Sequence, residues 1–436
     1  CDVVLIAVGR KPNTKDLNYK VIFDFINSSL LDVSNESFFK HINRFPQNSY
    51  AILRNEKIDY YNIKTINNIK SITPKAKDLK NLIDNSIKQE IQSDVPVALT
   101  LSGGVDSSYL AKISNNEKDI KSYTISNNVV SNEKKIINDF TKSLNLKHEF
   151  VDTCNVENIE TIDTLLNYFD QPFKSSQTIF QYALRKKISK DGYKVLLTGD
   201  GADELFSGYK ILVHPYLTTI LFSKNFPYFL SSLKSLQIFL GIKKVKILNN
   251  LIKFIFANIS KNTSISNYIS SYFNNNQSFD DLGDYNIKLQ LLKRIFLFPL
   301  PYWLRIEDSL SMMCSLENRT PYLNYKILNY MINVDPLYYM KNTNKYLMKK
   351  AIFEDLPKAI IENKIKYQKP TNTSGLIFKS LFKDAKDIFN SSNFEYIIDK
   401  KISVNDFIKD SKKNINSVYW FKLLILTRWL ESTRSY

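Results

Sequence analysis

Between residues 101 and 108 the chain reads Leu-Ser-Gly-Gly-Val-Asp-Ser-Ser, directly after the apolar run Val95 to Leu101 and directly before a stretch of helical periodicity. Two adjacent glycines let consecutive backbone N–H groups close around an oxyanion, and the start of a helix adds its partial positive charge. Ser102, Ser107 and Ser108 contribute hydroxyl donors, so with Gly103 and Gly104 they form a candidate phosphate cradle that lacks the lysine of a Walker A loop. Asp106 is the odd member, because a carboxylate beside polyphosphate makes sense only with a divalent cation between them. The plainer reading is a Gly-Gly turn with serine at a helix cap.

A second candidate loop follows another short apolar run: Thr198, Gly199, Asp200, Gly201, Ala202, Asp203, Glu204, then Leu205 to Tyr209. Three acids within five residues repel one another unless they meet a metal or share a proton. The plainer reading here is a solvated acidic loop capping a helix at Asp203.

The elements that must position these loops alternate. Apolar residues at helical spacing predict a helix over Asp78 to Ile91, and Val95 to Leu101 reads as a strand buried on both faces. Next come a helix over Ser107 to Ile113, a strand over Ser122 to Ile125, a helix over Asn132 to Leu144 and a strand over His148 to Val151. A helix over Thr178 to Ile188 and a strand over Lys194 to Thr198 complete the series, and from about Glu204 the pattern turns almost wholly helical. Strand and helix in alternation predict an α/β fold, a doubly wound parallel sheet whose ligands sit beyond the carboxyl ends of the strands. Ahead of it, Ser49 to Leu53 and Lys57 to Ile63 predict a hairpin over Arg54, Asn55 and Glu56. Glycine is scarce, and its clustering at Gly103–Gly104 and from Gly192 to Gly208 marks the two places where backbone must approach a ligand.

Composition narrows the function classes. The 436 residues carry a formal net charge of +17, but the cations are 51 lysines and 9 arginines spread from end to end, so no nucleic-acid partner is expected. Cys1, Cys154 and Cys314 give neither a disulfide framework nor a zinc spacing, and a reducing cytoplasmic location is expected. The greasiest zone, Leu212 to Ile259, is cut by lysines into buried helices, and no membrane association is expected.

SGGVDSS followed by TGDGADELFSGY resembles the synthetase domain of the asparagine synthetase family. Further similarities follow in order: Asp170, Pro172 and Phe173; then Leu304, Arg305, Glu307, Asp308, Met312, Glu317, Arg319, Pro321 and Leu323; then Lys345, Tyr346 and Leu347, with Leu356 and Pro357. The resemblance implies an adenine nucleotide α-hydrolase-like (PP-loop) sheet followed by a largely helical C-terminal part, using ATP and Mg2+. In that family reading the Ser-Gly-Gly loop holds the β- and γ-phosphates and Asp106 and Asp203 ligate Mg2+. Leu101, Ile125, Thr198 and Gly199 line the adenosine pocket. A substrate carboxylate, by default aspartate, attacks the α-phosphate, pyrophosphate leaves, and ammonia converts the acyl-adenylate to an amide. Asp200 is the candidate proton acceptor from ammonia. The family's late Arg-x-Lys-x-Gly-Phe pattern falls on Glu362 to Tyr367, keeping Lys364 as the catalytic lysine and losing the arginine and glycine.

The chain departs from the family at its start. Members that hydrolyse glutamine begin with a glutaminase domain whose nucleophile is an N-terminal cysteine, yet no glycine lies between Gly9 and Gly103 to build its turns. Residues 21–72 resemble only the tail of that domain, through Phe38, Phe39 and Ile42, and residues 73–436 the synthetase part. Residues 1–14 resemble a strand and loop of FAD-containing pyridine nucleotide-disulfide oxidoreductases, without any GxGxxG, so residues 1–20 read as a foreign or truncated segment. The expectation is a polypeptide that takes free ammonia, or ammonia from a separate glutaminase, and does not hydrolyse glutamine itself. Phe173, Lys174, Ser175 and Ser176 stand where an aspartate-dedicated synthetase would carry a Thr-Thr-Ile-Arg stretch, which opens the acceptor to a sugar uronate or another acid of envelope-glycan or secondary-metabolite pathways. Two other classes stay open: a tRNA-modifying enzyme of the same superfamily and a non-catalytic nucleotide-binding relic. The oligomeric state stays open as well. Arg305, Glu307, Asp308, Glu317 and Arg319 read as an ion-pair network on a pair of helices, and His148 as structural.

Overall fold

The computed structural model describes residues 17–27, 31–32, 34–47, 49–54, 57–62, 71–126, 131–153, 156, 158–258, 285–362 and 417–434. They belong to two compact units, each discontinuous in sequence. One draws on Cys1–Phe45, Thr153–Ala183 and Lys369–Tyr436, the other on Pro46–Asp152 and Leu184–Gln368.

The second unit holds a five-stranded sheet. Its strands are β1 (Val97–Thr100), β2 (Lys121–Ile125), β3 (Lys147–Val151), β4 (Val195–Leu197) and β5 (Glu317–Arg319), all parallel to their neighbours. The order across the sheet is β3-β2-β1-β4-β5. Val97, Ala98, Leu99, Leu196 and Leu197 are all fully buried, as central strands covered on both faces require. Chain order reverses between β1 and β4, so their carboxyl ends flank the topological switch point of the sheet.

Helices supply the covering layers. α1 (Ala76–Glu90) buries Leu79, Ile83 and Ile87, the stripe that the 3.6-residue spacing predicts. α2 (Val105–Glu117) leaves β1 directly, and α3 (Ser131–Ser143) joins β2 to β3. α4 (Gln177–Lys190) precedes β4, and the four-residue α5 (Ala202–Leu205) follows it. Helices then dominate, among them α6 (Leu300–Met313) and the short α7 (Tyr346–Ala351).

β5 corrects the expectation of an almost wholly helical region after Glu204. Glu317 and Arg319 lie on this edge strand, paired with Val195 and Leu197, and not on a helix pair. Three polar residues carry no hydrophobic period, so only the sheet edge identifies them as a strand. The expected hairpin is present, with Ser49–Arg54 antiparallel to Lys57–Asn62 and Tyr50 stacked on Tyr61 at 5.0 Å.

In the other unit, Phe38 packs edge-on against Phe25 at 5.9 Å and Trp429 at 5.3 Å. The Lys422 ammonium donates to the carbonyls of Phe25, at 3.1 Å, and Ile26, satisfying the end of the helix Tyr19–Asn27. Arg428 clasps the Asp163 carboxylate through two bonds of 2.6 Å. Among the described residues no helix is long and apolar enough to cross a membrane.

Candidate active site

β1 leads into a buried Leu101, whose N–H donates to the Tyr123 carbonyl at 2.9 Å and whose carbonyl accepts from the Thr124 hydroxyl. The chain then turns sharply. Gly103 has φ +72°, the left-handed region, and an added Cβ would stand 3.0 Å from Ile137. The Ser102 N–H donates to Ser107 Oγ at 3.1 Å, and the Ser102 and Ser107 hydroxyls lie 3.0 Å apart. Gly104 is the N-cap of α2 and has no side chain to satisfy the helix's first N–H groups, which leaves them to a ligand. Ser108 Oγ is buried without a hydrogen-bond partner among the described residues. The loop therefore sets a helix N-terminus without a side-chain cap at the sheet's switch point, a place that suits an anion.

The second loop leaves β4 beside it. An added Cβ at Gly199 would lie 3.6 Å from Asp106 Cβ and 3.7 Å from the Ser107 nitrogen, so the two loops pack back to back. The three clustered acids are not left facing one another. Asp200 accepts from the Thr198 hydroxyl at 2.6 Å, and Glu204 accepts from the Tyr209 hydroxyl at 2.5 Å. Burial pushes the Glu204 carboxyl above its ordinary range, with Asp203 and Asp200 adding to the rise against the Tyr209 bond. Asp203 turns to Lys345, a residue of the family resemblance to which the sequence had assigned no part in the site.

Lys345 binds both candidate metal ligands: its ammonium donates to Asp106 Oδ2 and lies 2.8 Å from Asp203 Oδ1. Its side chain is only 6% exposed. Burial works to lower its pKa, but Asp106 and Asp203 outweigh that and hold it above the usual lysine range, so it stays a cation. Lys345 takes a left-handed backbone at φ 53° as the N-cap of α7. The signal available in the sequence was the family resemblance at Lys345, Tyr346 and Leu347. Gly208 closes the set: a Cβ there would fall 1.7 Å from Asp203 Oδ1 and 2.6 Å from Lys345 Cε.

The structure thus brings together Ser102, Gly103, Gly104, Asp106, Ser107 and Ser108 with Thr198, Gly199, Asp200 and Asp203 at the ends of β1 and β4. Ile125 ends β2, next to β1. Lys364 lies outside the described residues, as do Cys1 and Cys154. The expected five-member ion network does not form as one. Glu307 pairs with the buried Arg185, whose Nε also donates to Ser311 at 2.8 Å. Arg319 instead bonds Glu317 at 2.8 Å and the carbonyls of Glu90 and Gln92 at 2.6 and 2.7 Å. Glu317 and Arg319 lie on β5, and the Arg319 guanidinium is spent on Glu317 and on the carbonyls at the end of α1.

A family model described as asparagine synthase matches residues 78–431. The glutamine-hydrolyzing asparagine synthetase 1 of Bacillus subtilis strain 168 is 24% identical over 322 residues, which cover 66% of this chain and 48% of that protein. The corresponding synthetase 3 of the same organism is 23% identical over 330 residues, 70% of this chain and 50% of that one. Among solved structures, the NH3-dependent NAD synthetase of Campylobacter jejuni aligns at 16% identity with a TM-score of 0.23, covering 31% of this chain and 62% of the other. This chain spans about half the length of the two synthetases. With most of its length matched by one family model, and with that family's two loops meeting at the switch point of the sheet, the chain belongs to the asparagine synthase family.

Proposed function

We propose that this chain is an ATP-dependent ligase that activates a carboxylate as an acyl-adenylate and passes ammonia to it, forming an amide, AMP and pyrophosphate. The observation that carries the reading is the convergence of Asp106 and Asp203 on Lys345, beside the uncapped helix N-terminus at Gly104. ATP entering there meets backbone donors, the Ser102 and Ser107 hydroxyls and a buried ammonium. Adenylation builds negative charge on the departing pyrophosphate, and donors already oriented toward it lower the barrier, each worth about 10²–10³ in rate.

Two carboxylates aimed at one point suit a hard divalent cation. Asp106 and Asp203 offer hard oxygen ligands of the kind Mg2+ takes, one or two carboxylates with phosphate and water filling its shell. Asp106 and Asp203 would hold it, and when bound it would screen the charge of the triphosphate. Lys345 draws those two carboxylates to one ammonium. Asp200, positioned by Thr198, accepts a proton from ammonia as the C–N bond forms; Lys364 supplies a further cation to the phosphates.

Aspartate is the default acceptor, and the Phe173 to Ser176 segment leaves room for a sugar uronate or another acid. Ammonia enters free or from a separate glutaminase. The test is exchange of labelled pyrophosphate into ATP across a panel of carboxylic acids. Acid-stimulated exchange is the expected result, and absence of exchange with every acid points to the nucleotide-binding relic. With the stimulating acid, ammonium salts should support AMP release where glutamine does not; equal rates with both overturn the ammonia assignment.

A further inference from the structure

A cavity of about 1020 Å3 opens beside α7, and none of its described lining residues comes from 101–108 or 198–208. That volume is at the upper end for sites that take small organic molecules. Its charges are unequal. Lys80 and Asp355 line it but neutralise each other at 3.1 Å. Lys77, Lys210, Lys349 and Lys350 remain, against Glu354 and Glu362. Among the described residues, Lys77, Lys210 and Lys350 make no ion pair. Like charges gathered around a concave wall raise the local potential and draw in an anion. Between the lysines the wall is aromatic, formed by Phe239, Tyr346 and Phe353, and the Lys210 ammonium sits 5.8 Å over the Phe239 ring.

We infer that this cavity is a second ligand site, for a phosphate-bearing metabolite with a flat ring, of the nucleotide class. Ammonium groups bind phosphate as point charges, and the rings take the planar body.

The cavity is also wired to the reaction loops. Lys349 donates to Thr343 Oγ1 and Asn344 Oδ1, both at 3.1 Å. Asn344 in turn donates through Nδ2 to the Gly208 carbonyl at 3.0 Å, and Gly208 is the residue wedged against Asp203 and Lys345. An anion that takes Lys349 competes with Asn344 for the same ammonium, so occupancy of the cavity reaches the acid–lysine set through one side chain.

The probe is GMP, whose base differs from the adenine proposed for the reaction site, measured by calorimetry at low ionic strength against guanosine and inorganic phosphate. Lys77 and Lys350 are exposed, so a Lys77→Ala/Lys350→Ala variant is expected to unfold at the wild-type temperature. Saturable GMP binding should weaken at least about tenfold in that variant, persist in Asp203→Asn, and be absent for guanosine. Phosphate binding with the same lysine dependence also supports the site. No saturable binding, or binding indifferent to the two lysines, or binding lost in Asp203→Asn, overturns it. Because coupling is reciprocal, GMP should shift ATP affinity in the wild type and not in Lys349→Met; no shift in the wild type overturns the connection. These are binding measurements, so they stand or fall apart from the ligase activity.

Discussion

The sheet carries a cluster of paired charges at each end, and the two are built on different rules. At the amino ends of the strands, Lys121 and Lys187 each reach both Glu149 and Asp191, at 2.6 and 3.1 Å for the first and 3.0 and 2.6 Å for the second. Tyr123 adds a 2.6 Å bond to Asp191. Two cations meet two anions, and the cluster is electrically complete. At the carboxyl ends, two carboxylates share the single ammonium of Lys345. There the cation is the buried member, its side chain 6% exposed against 24% for Lys121, and it binds Asp106 in the first turn of α2, where a helix N-terminus favours an anion. Depth of burial therefore separates site from scaffold better than the number of charges does.

The sharpest way to break this contrast is to remove one lysine from each end. Lys345→Met leaves Asp106 and the partly exposed Asp203 without the ammonium they share. We expect acid-dependent pyrophosphate exchange to fall by about 10²–10³ and stability by about 1–3 kcal/mol. Part of that stability should return on adding Mg2+, which would neutralise the stranded pair. Lys121→Met should leave exchange unchanged and cost about 1 kcal/mol or less, because its partners keep Lys187 and water. If both variants behave alike in exchange and in thermal unfolding, the end with Lys345 is scaffold too.

Gly208→Ala tests geometry with no change of charge. The added methyl group would need the space of Asp203 Oδ1, 1.7 Å away, and of Lys345 Cε, so the acid–lysine set has to shift by an ångström or more. A displacement of that size at a reacting centre costs about 10² in rate. The loss should appear in exchange while unfolding moves by less than in Lys345→Met. Wild-type exchange would show that the set tolerates looser placement than its packing suggests.

These contrasts also mark what the sequence could disclose. Apolar runs at Val95 to Leu101 and Lys194 to Thr198, each followed by glycine, place β1, β4 and the loops after them, because buried parallel strands and glycine turns leave local patterns. Lys345 left none of that kind. The family resemblance names it, but its role depends on a contact with Asp106 more than two hundred residues away, which no local pattern shows. β5 was missed for a related reason, since Glu-Asn-Arg becomes a strand only when β4 offers it an edge. The dispersal of the acids to Thr198, Lys345 and Tyr209 is likewise tertiary: the local sequence shows three like charges, and only the turn into α5 shows that they point to different partners.

The smallest expected effect belongs to the amino end, where His148 begins its contribution one residue into β3. Its Nδ1 shares a 2.8 Å hydrogen bond with Ser122 Oγ, its ring stands edge-on to Phe150 at 4.6 Å, and Nε2 is buried with no partner among the described residues. Burial pushes its pKa down to about 4, only partly opposed by Ser122 and Glu149. A folded pKa below the unfolded value means the native state prefers the neutral ring. The stability it contributes is present above about 6.5 and is lost as pH falls toward 4. Discounting for partial exposure, the wild type should lose about 1 kcal/mol more than His148→Gln between pH 7 and pH 5. Denaturant midpoints at the two pH values give the difference directly, with His41 and His214 common to both proteins. Exchange at neutral pH should be the same in both, since this titration sits among satisfied scaffold charges. Identical pH slopes would place His148 in solvent, and unequal exchange would mean the amino end reaches the chemistry after all.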